Sequence, residues 1–499
     1  MQPIRRPVNP ALRYGAILLI LAPLIAFAPM RVALGLAGLV AVAALAWIGP
    51  VWGVYAAILS VPVQQIVTLP GGTSFTQAAV LLMAGAWLVR AAGRPQQMII
   101  TGPLFWAWLA LLGALLLATS FTPYSTSESI KATLRWGVAF LIWFVAVNSV
   151  TTRRTLIGLI ACLLVAPFAN ALIGLYQFAS GSGPPSFRIA ESLPFVRAYG
   201  TIGQPNSFAG YMNMAWPLGI GLAMGWTLNA KQAPHLAGTS SVRRFVPMVS
   251  LWLLAFALCA ALAVSFSLGG WVGALVGCVG LLAALGRRWA IAAGGGTGAL
   301  LAFLLLGGAT LFPDAIGARV TRLTGMLRFF DPATVTVTPE NFALVERMAQ
   351  MKAGWLMLLA HPLVGVGPGA YTGAYSDVAS APWYASRGHA HNFYLHMAAE
   401  TGLFGLIAYL ALIGTTVVLA VIGLQRVRGP LARGVMIGCC GVIAAVAGHN
   451  LFENLHVLNL GVQLSGIWAV IVLLPRVAQS RGLGAQSPRK TPSYFMEGL

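Results

Sequence analysis

Long unbroken apolar runs dominate the chain, and they do not alternate polar with apolar as a half-buried strand would. Runs near the roughly 20 residues that cross a bilayer fall at about 14–30, 32–49, 51–69, 76–90, 103–121, 129–149, 154–179 and 206–228. Six more fall at about 245–266, 269–285, 290–312, 395–424, 431–449 and 457–475. The third is weakened by Pro62, Gln64 and Gln65, and the fourth is short, so the pattern predicts about 12–14 transmembrane helices. Lipid offers the backbone no water partner, which leaves helices or closed barrels as the only spanning structures. Unalternating runs select helices. The predicted fold is an all-α polytopic membrane protein in which either even count brings both chain ends to one side.

Two connections break the rhythm of short links. One lies near 180–205 and the other, much longer, at 313–394. The predicted layout is transmembrane helices over 1–312, a large loop at 313–394, C-terminal transmembrane helices over 395–475 and a tail at 476–499. Within the large loop, 340–361 reads as an amphipathic helix. Such a helix suits sealing the loop to the bilayer or binding a lipid substrate. At the N-terminus, Ala26-Phe27-Ala28 resembles a signal-peptide cleavage site, but Pro29 disfavours the cut, so the run reads as a retained first helix.

Composition supports this reading. Charged residues make up 8% of the chain and hydrophobic ones 58%, against about 25% charged in a soluble domain. The net charge of +20 would suit a nucleic-acid binder, but its distribution speaks for topology. With a cytoplasmic N-terminus, the cytoplasmic segments hold Arg5, Arg6, Arg13, Arg90, Arg94, Arg153, Arg154, Lys231, Arg243 and Arg244. They also hold Arg287, Arg288, Arg426, Arg428, Arg433, Arg476, Arg481, Arg489 and Lys490, making 19 of the 30 basic residues, with only Glu497 of the 10 acidic ones. This is the positive-inside pattern. It puts both termini in the cytoplasm, both long loops on the extracytoplasmic side, and no nucleic acid among the partners. Cys162, Cys259, Cys278, Cys439 and Cys440 all fall within apolar spans, so no disulfide framework is implied.

Three motifs carry candidate chemistry. The first, RAYGTIGQPNSFAGYM at 197–212, is a tight turn opening a span. It reads either as a helix entry capped by Asn206 or Ser207, or as a rigid turn presenting Arg197 and backbone N–H groups to an anion. In the second, ERMAQMKAGWLMLLAHPLVGVGPGAY at 346–371, Arg347 starts a helix that ends at His361-Pro362, before a run of glycines. No Gly-Lys-Ser/Thr follows, so it is no Walker loop. The third, HAHNFYLHMAAETGLFG at 389–405, places Gly402 and Gly405 after His391 and Asn392. Its histidines lack cysteine partners, and Glu400 is the one carboxylate within the motif, which argues against a metal.

Together these motifs resemble the bacterial O-antigen ligase and O-antigen polymerase family. The resemblance rests on Arg197 before the Gly-Thr-x-Gly-x-Pro-Asn turn, and on Glu346, Arg347 and Trp355 ahead of His-Pro-Leu-x-Gly-x-Gly at 361–367. It is completed by His391-Asn392, nine residues, Gly402, two residues and Gly405. One departure is SFSLGGWVGAL at 265–275, where Leu268 stands in place of a frequent arginine; no substrate role is expected there. The resemblance implies a bacterial cytoplasmic (inner) membrane enzyme that moves a glycan from an undecaprenyl-diphosphate donor. The acceptor would be a hydroxyl on a glycan, a lipid A core or another molecule, with membrane lipid as surroundings. It further implies inversion at the anomeric carbon and neither metal nor cofactor. Arg197 and Arg347 are the expected diphosphate ligands, since a guanidinium keeps its charge and donates in a planar fork. His391 is the expected catalytic group for the acceptor hydroxyl, with His389 and Asn392 in support and Glu400 as a rival base. Ligase, polymerase and protein glycosylation remain open, and a transporter or flippase of lipid-linked glycans is the alternative class.

Overall fold

The computed structural model describes residues 30–64, 66, 74–94, 99–189, 194–232, 241–311, 321, 325, 330–339 and 341–479. Its regular elements are helices; the described residues add only an isolated bridge between Arg188 and Val196. The first group is α1 (Met30–Ile48), α2 (Pro50–Ser60), α3 (Phe75–Ala92), α4 (Pro103–Ser120), α5 (Thr126–Ser149) and α6 (Arg153–Ser180). Next come α7 (Pro205–Asn213), α8 (Trp216–Gln232), α9 (Ser241–Ala263), α10 (Leu268–Leu285) and α11 (Arg287–Leu305). After the long connection come α12 (Phe342–Ala360), α13 (Tyr371–Val378), α14 (Phe393–Arg426), α15 (Pro430–His449) and α16 (Leu460–Gln479).

Local chemistry sets many of the starts. Pro50, Pro103, Pro205 and Pro430 occupy first turns, where the missing N–H costs nothing. Ser74 and Thr152 form capping boxes with Gln77 and Thr155, and Ser125 and Ser267 cap α5 and α10.

Nine helices among the described residues are long and apolar enough to cross a membrane, or ten with α1 and α2 counted as one span bent by 118°. The expected 12–14 included the run at 14–30, which lies outside the described residues. The expected run at 51–69 is the second arm of the bent pair. The run at 206–228 is divided into α7 and α8 at Met214 and Ala215.

Two kinds of packing hold the bundle. Where α8 crosses α15, Gly221 and Gly434 face each other so closely that a Cβ on either would run into the other's carbonyl. Lipid is as apolar as a side chain, so close backbone approach of this kind is a main source of helix association. Elsewhere aromatic rings fill the core: Trp108 of α4 meets Trp468 of α16 at 5.5 Å between ring centres and Trp136 of α5 at 6.3 Å.

The expected helix at 340–361 is α12. It turns Val345, Met348, Ala349, Met351 and Met357 into the protein while Trp355 and Leu359 stay exposed. Between α12 and the start of α14 lies an apolar groove of about 620 Å³, with Met351, Trp355, Leu358, Leu395 and Leu406 in its walls. The Lys352–Asp331 ion pair, 2.8 Å, sits at its edge.

Candidate active site

The site is assembled by a break in α14. Gly402 has φ 63 and ψ −166, so the helix ladder is interrupted there. The turn after α12 docks into the gap: Leu403 N–H donates to Pro362 O at 2.8 Å, Val366 N–H to Ala399 O at 3.0 Å and Gly367 N–H to Glu400 O at 2.9 Å. A Cβ on Gly402 would overlap the Leu363 carbonyl, so the position needs glycine on two counts. The second and third motifs are therefore two halves of one joint, which fixes α12 against the segment carrying His389 and His391.

At this end of the bundle the connection between α15 and α16 delivers a residue that motif reading missed. Glu453 is only 6% exposed. Its Oε1 lies 3.0 Å from His389 Nε2 and 3.7 Å from His391 Nδ1, and its Oε2 accepts from Asn206 Nδ2 at 2.8 Å. Asn206 Oδ1 in turn accepts from Arg197 Nη2 at 3.0 Å, and Arg197 Nε donates to Ser265 O at 2.9 Å. Arg347 Nη1 donates to the carbonyl of Phe452, the neighbour of Glu453, at 2.7 Å. Glu453 thus links all three motifs. The segment at 265–275, given no substrate role from sequence, contributes the Ser265 carbonyl that orients Arg197.

The hydrogen bonds assign the histidine roles. The backbone N–H of His391 donates to His389 Nδ1 at 3.1 Å, which leaves His389 Nε2 as the nitrogen that donates to Glu453. His391 Nδ1 is buried, and its 3.7 Å approach to Glu453 is too long for a hydrogen bond. His391 also holds a left-handed backbone, φ 51, which is uncommon for a side chain of its size.

Burial pushes the His391 pKa down to about 3; Glu453 opposes this, while His389, Arg347 and Arg387 add to it. The imidazole is therefore neutral at physiological pH. Burial acts to raise the Glu453 pKa, but the His389 hydrogen bond, the two neighbouring imidazoles and the Arg347 guanidinium outweigh it and hold the carboxyl well below its usual range. Burial lowers the Arg347 pKa, with Glu453 opposing.

The other expected site residues fall as follows. Asn392 caps α14 through its Oδ1, which accepts from Leu395 N–H at 3.0 Å, and it borders the apolar groove. Glu400 accepts from the Tyr371 N–H at 3.2 Å and has His396 Nε2 at 3.6 Å from its other oxygen. Around the site, Gln350 ties the 383–387 strap to α12: its Nε2 donates to Ala385 O and its Oε1 accepts from Arg387 N–H. Arg387 is paired with Glu346 at 2.6 Å.

His389, His391 and Glu453 offer ligand atoms within 4.8 Å of one another, a donor set compatible with a metal ion. The sequence argument against a metal counted only carboxylates inside the motif, and Glu453 lies outside it. The guanidinium of Arg347 beside this trio disfavours a second cation.

Residues 253–410 match the family model described as O-Antigen ligase. The match includes Arg347, the histidine pair and the break at Gly402, begins after Arg197 and ends before Glu453. It supports the family resemblance read from the three motifs. No curated protein matches the chain.

Proposed function

We propose that this protein, which carries an O-antigen ligase domain, is a multi-pass glycosyltransferase of the bacterial inner membrane. It takes a glycan from undecaprenyl diphosphate and passes it to an acceptor hydroxyl. The observation that carries this reading is the cluster of Arg197, Arg347 and His391 around one buried carboxylate, Glu453.

In this mechanism Arg197 and Arg347 hold the diphosphate, whose charge grows as the anomeric C–O bond breaks. Fixed cations in a site screened from water stabilise that developing charge most. The acceptor oxygen attacks the anomeric carbon from the opposite face, forming the new glycosidic bond with inversion. Its proton passes to His391, and undecaprenyl diphosphate departs with the bonding electrons.

Glu453 explains how His391 serves although its surroundings depress its basicity. A carboxylate 3.7 Å away favours the imidazolium that forms. Binding of the diphosphate also offsets the arginine charge that lowers the His391 pKa. His389 keeps Glu453 oriented.

The apolar groove beneath α12 suits the isoprenoid chain of the donor. Arg347 and Leu358 are both on α12, eleven residues or about three turns apart, so they share a side of the helix with a rise of roughly 16 Å between them. A headgroup at Arg347 would send its chain along Met351 and Leu358 into the groove.

Reconstituted protein, given a lipid-linked oligosaccharide and a hydroxyl acceptor, should transfer the glycan in the presence of chelator. Arg347→Lys, which keeps charge but loses the fork, should lower transfer at least about tenfold. Metal-dependent activity would refute the metal-free mechanism, and transfer unimpaired in Arg347→Lys would remove Arg347 from diphosphate binding.

A further inference from the structure

A second cavity lies near the histidine pair, with Gly388, Phe393 and His396 in its wall. It measures about 180 Å³, and Arg135 and Trp136 of α5, His396 and Glu400 of α14, and Asn454 and His456 of the loop before α16 line it. Pro368 and Gly369 of the turn before α13 also line it. None of these six side chains serves the diphosphate in the mechanism above.

Its chemistry is that of a polar ligand. His396 is buried, 7% exposed, and its Nδ1 has no hydrogen-bond partner. A buried nitrogen left unmatched costs about 1–3 kcal/mol, and a ligand in the cavity would match it. Arg135 is exposed and makes no hydrogen bond or ion pair to any described residue, and the acids its charge acts on, Glu128 and Glu400, stop short of pairing with it. Glu400, by contrast, is held by the Tyr371 N–H and presents its other oxygen beside His396. Trp136 and His456 are stacked at 4.6 Å and form a rigid aromatic wall. Acceptor and cation groups set around an aromatic wall suit a sugar.

Position points the same way. His389 lies 6.4 Å from His396 between ring centres, and Gly388 and Phe393, which flank the catalytic segment, are both in the cavity wall. A hydroxyl held here would lie close to the histidine pair. The volume is below the roughly 300–1,000 Å³ of a typical whole-ligand pocket. It therefore takes one sugar unit at the end of a glycan.

We infer that this cavity is the acceptor subsite, and that Arg135 selects a terminal sugar bearing a carboxylate or phosphate. This inference rests on the transferase reading above. An unpaired guanidinium at a sugar-sized cavity favours an anion through paired N–H donors, while Glu400 and His396 take neutral hydroxyls.

The test uses full-length protein in vesicles with a lipid-linked oligosaccharide donor and three acceptors of equal length, ending in glucose, glucuronate or a sugar phosphate. Wild-type protein should show a KM at least about tenfold lower for one or both anionic acceptors, in line with a charge-assisted pair. Whichever anion is preferred identifies the group recognised. Arg135→Gln should abolish that preference and leave the donor KM unchanged; Arg135→Lys should keep part of it. Equal use of all three acceptors by wild type, or a preference that survives Arg135→Gln, would overturn the subsite assignment. Equilibrium binding of the same acceptors without donor separates this from the parent reading. Arg135-dependent binding without any transfer would retain the subsite and defeat the transferase mechanism.

Discussion

Glu453 is the residue on which the site's electrostatics turn. Its carboxylate touches Asn206 and His389 and lies near His391 and Arg347, so its removal leaves the buried Arg347 guanidinium without its nearby opposite charge and His389 Nε2 without its partner. Breaking a buried pair by deleting one partner typically costs about 3–5 kcal/mol. Glu453→Gln should therefore lower the melting temperature in detergent and reduce transfer by at least about 10²-fold, the lower range for loss of acid–base assistance. Near-normal transfer in Glu453→Gln would show that the carboxylate is structural only. The pH dependence follows from the same charges. The His391 pKa is depressed to about 3, so wild-type transfer should not fall as pH drops through the ordinary histidine value near 6.5 on account of His391. Glu453 has a depressed folded-state pKa, so its contribution to stability is present above the ordinary carboxylate value and is lost only as pH falls through the lower folded value. Sequence spacing brought out Arg197, Arg347, His389 and His391 because each sits in a local pattern of glycine, proline and polar residues. Glu453 escaped notice because its neighbours look like an ordinary helix link; only the packing of α15 and α16 brings it to the histidines. The left-handed backbone at His391 was equally invisible, since nothing local to a histidine announces φ 51.

At the scale of elements, the joint between α14 and the turn after α12 holds the site together. The interval from His391 to Gly402 has a physical meaning here: it measures the arm of α14 from the histidine segment to the break. Gly402→Ala should strain the left-handed backbone by about 1–3 kcal/mol and push the added Cβ against Leu363. The expected result is a lower melting temperature, faster proteolysis between 361 and 402, and loss of transfer. Gly414→Ala, in the same helix with open space around it, should change none of these. Equal behaviour of the two variants would mean that the break is dispensable. The helix positions themselves were largely legible, because apolar run length answers directly to bilayer thickness. The divisions at Met214–Ala215 and at Gly402 were not, because a broken helix and a continuous one can have the same hydropathy.

For the whole molecule, the remaining question is which end faces the cytoplasm. The structure sorts charge by end. Arg90 and Arg94 border a pocket with Asn148 and Thr151, and Arg426 and Arg476 border one with Gly102, at the far ends of α5, α14 and α16 from the candidate site. At the site end, three cations are paired with acids, Lys131 with Glu128, Lys352 with Asp331 and Arg387 with Glu346, while Arg135 is in no ion pair with a described residue. Lys and Arg close to the ends of spans are retained in the cytoplasm during insertion, whereas long loops cross largely regardless of charge. The site end is therefore expected to be extracytoplasmic. Ser376 on α13 is exposed and Ala432 at the start of α15 is partly so, which makes both suitable reporters. In a background with the five native cysteines removed, Ser376→Cys should react with an impermeant thiol reagent in cells whose outer membrane has been permeabilised. Ala432→Cys should react only after the inner membrane is opened. The reverse pattern would invert the molecule and place the site in the cytoplasm. It would also break the positive-inside argument at its base, because Arg90, Arg94, Arg426 and Arg476, which help to predict the orientation from sequence, lie at one end of the fold.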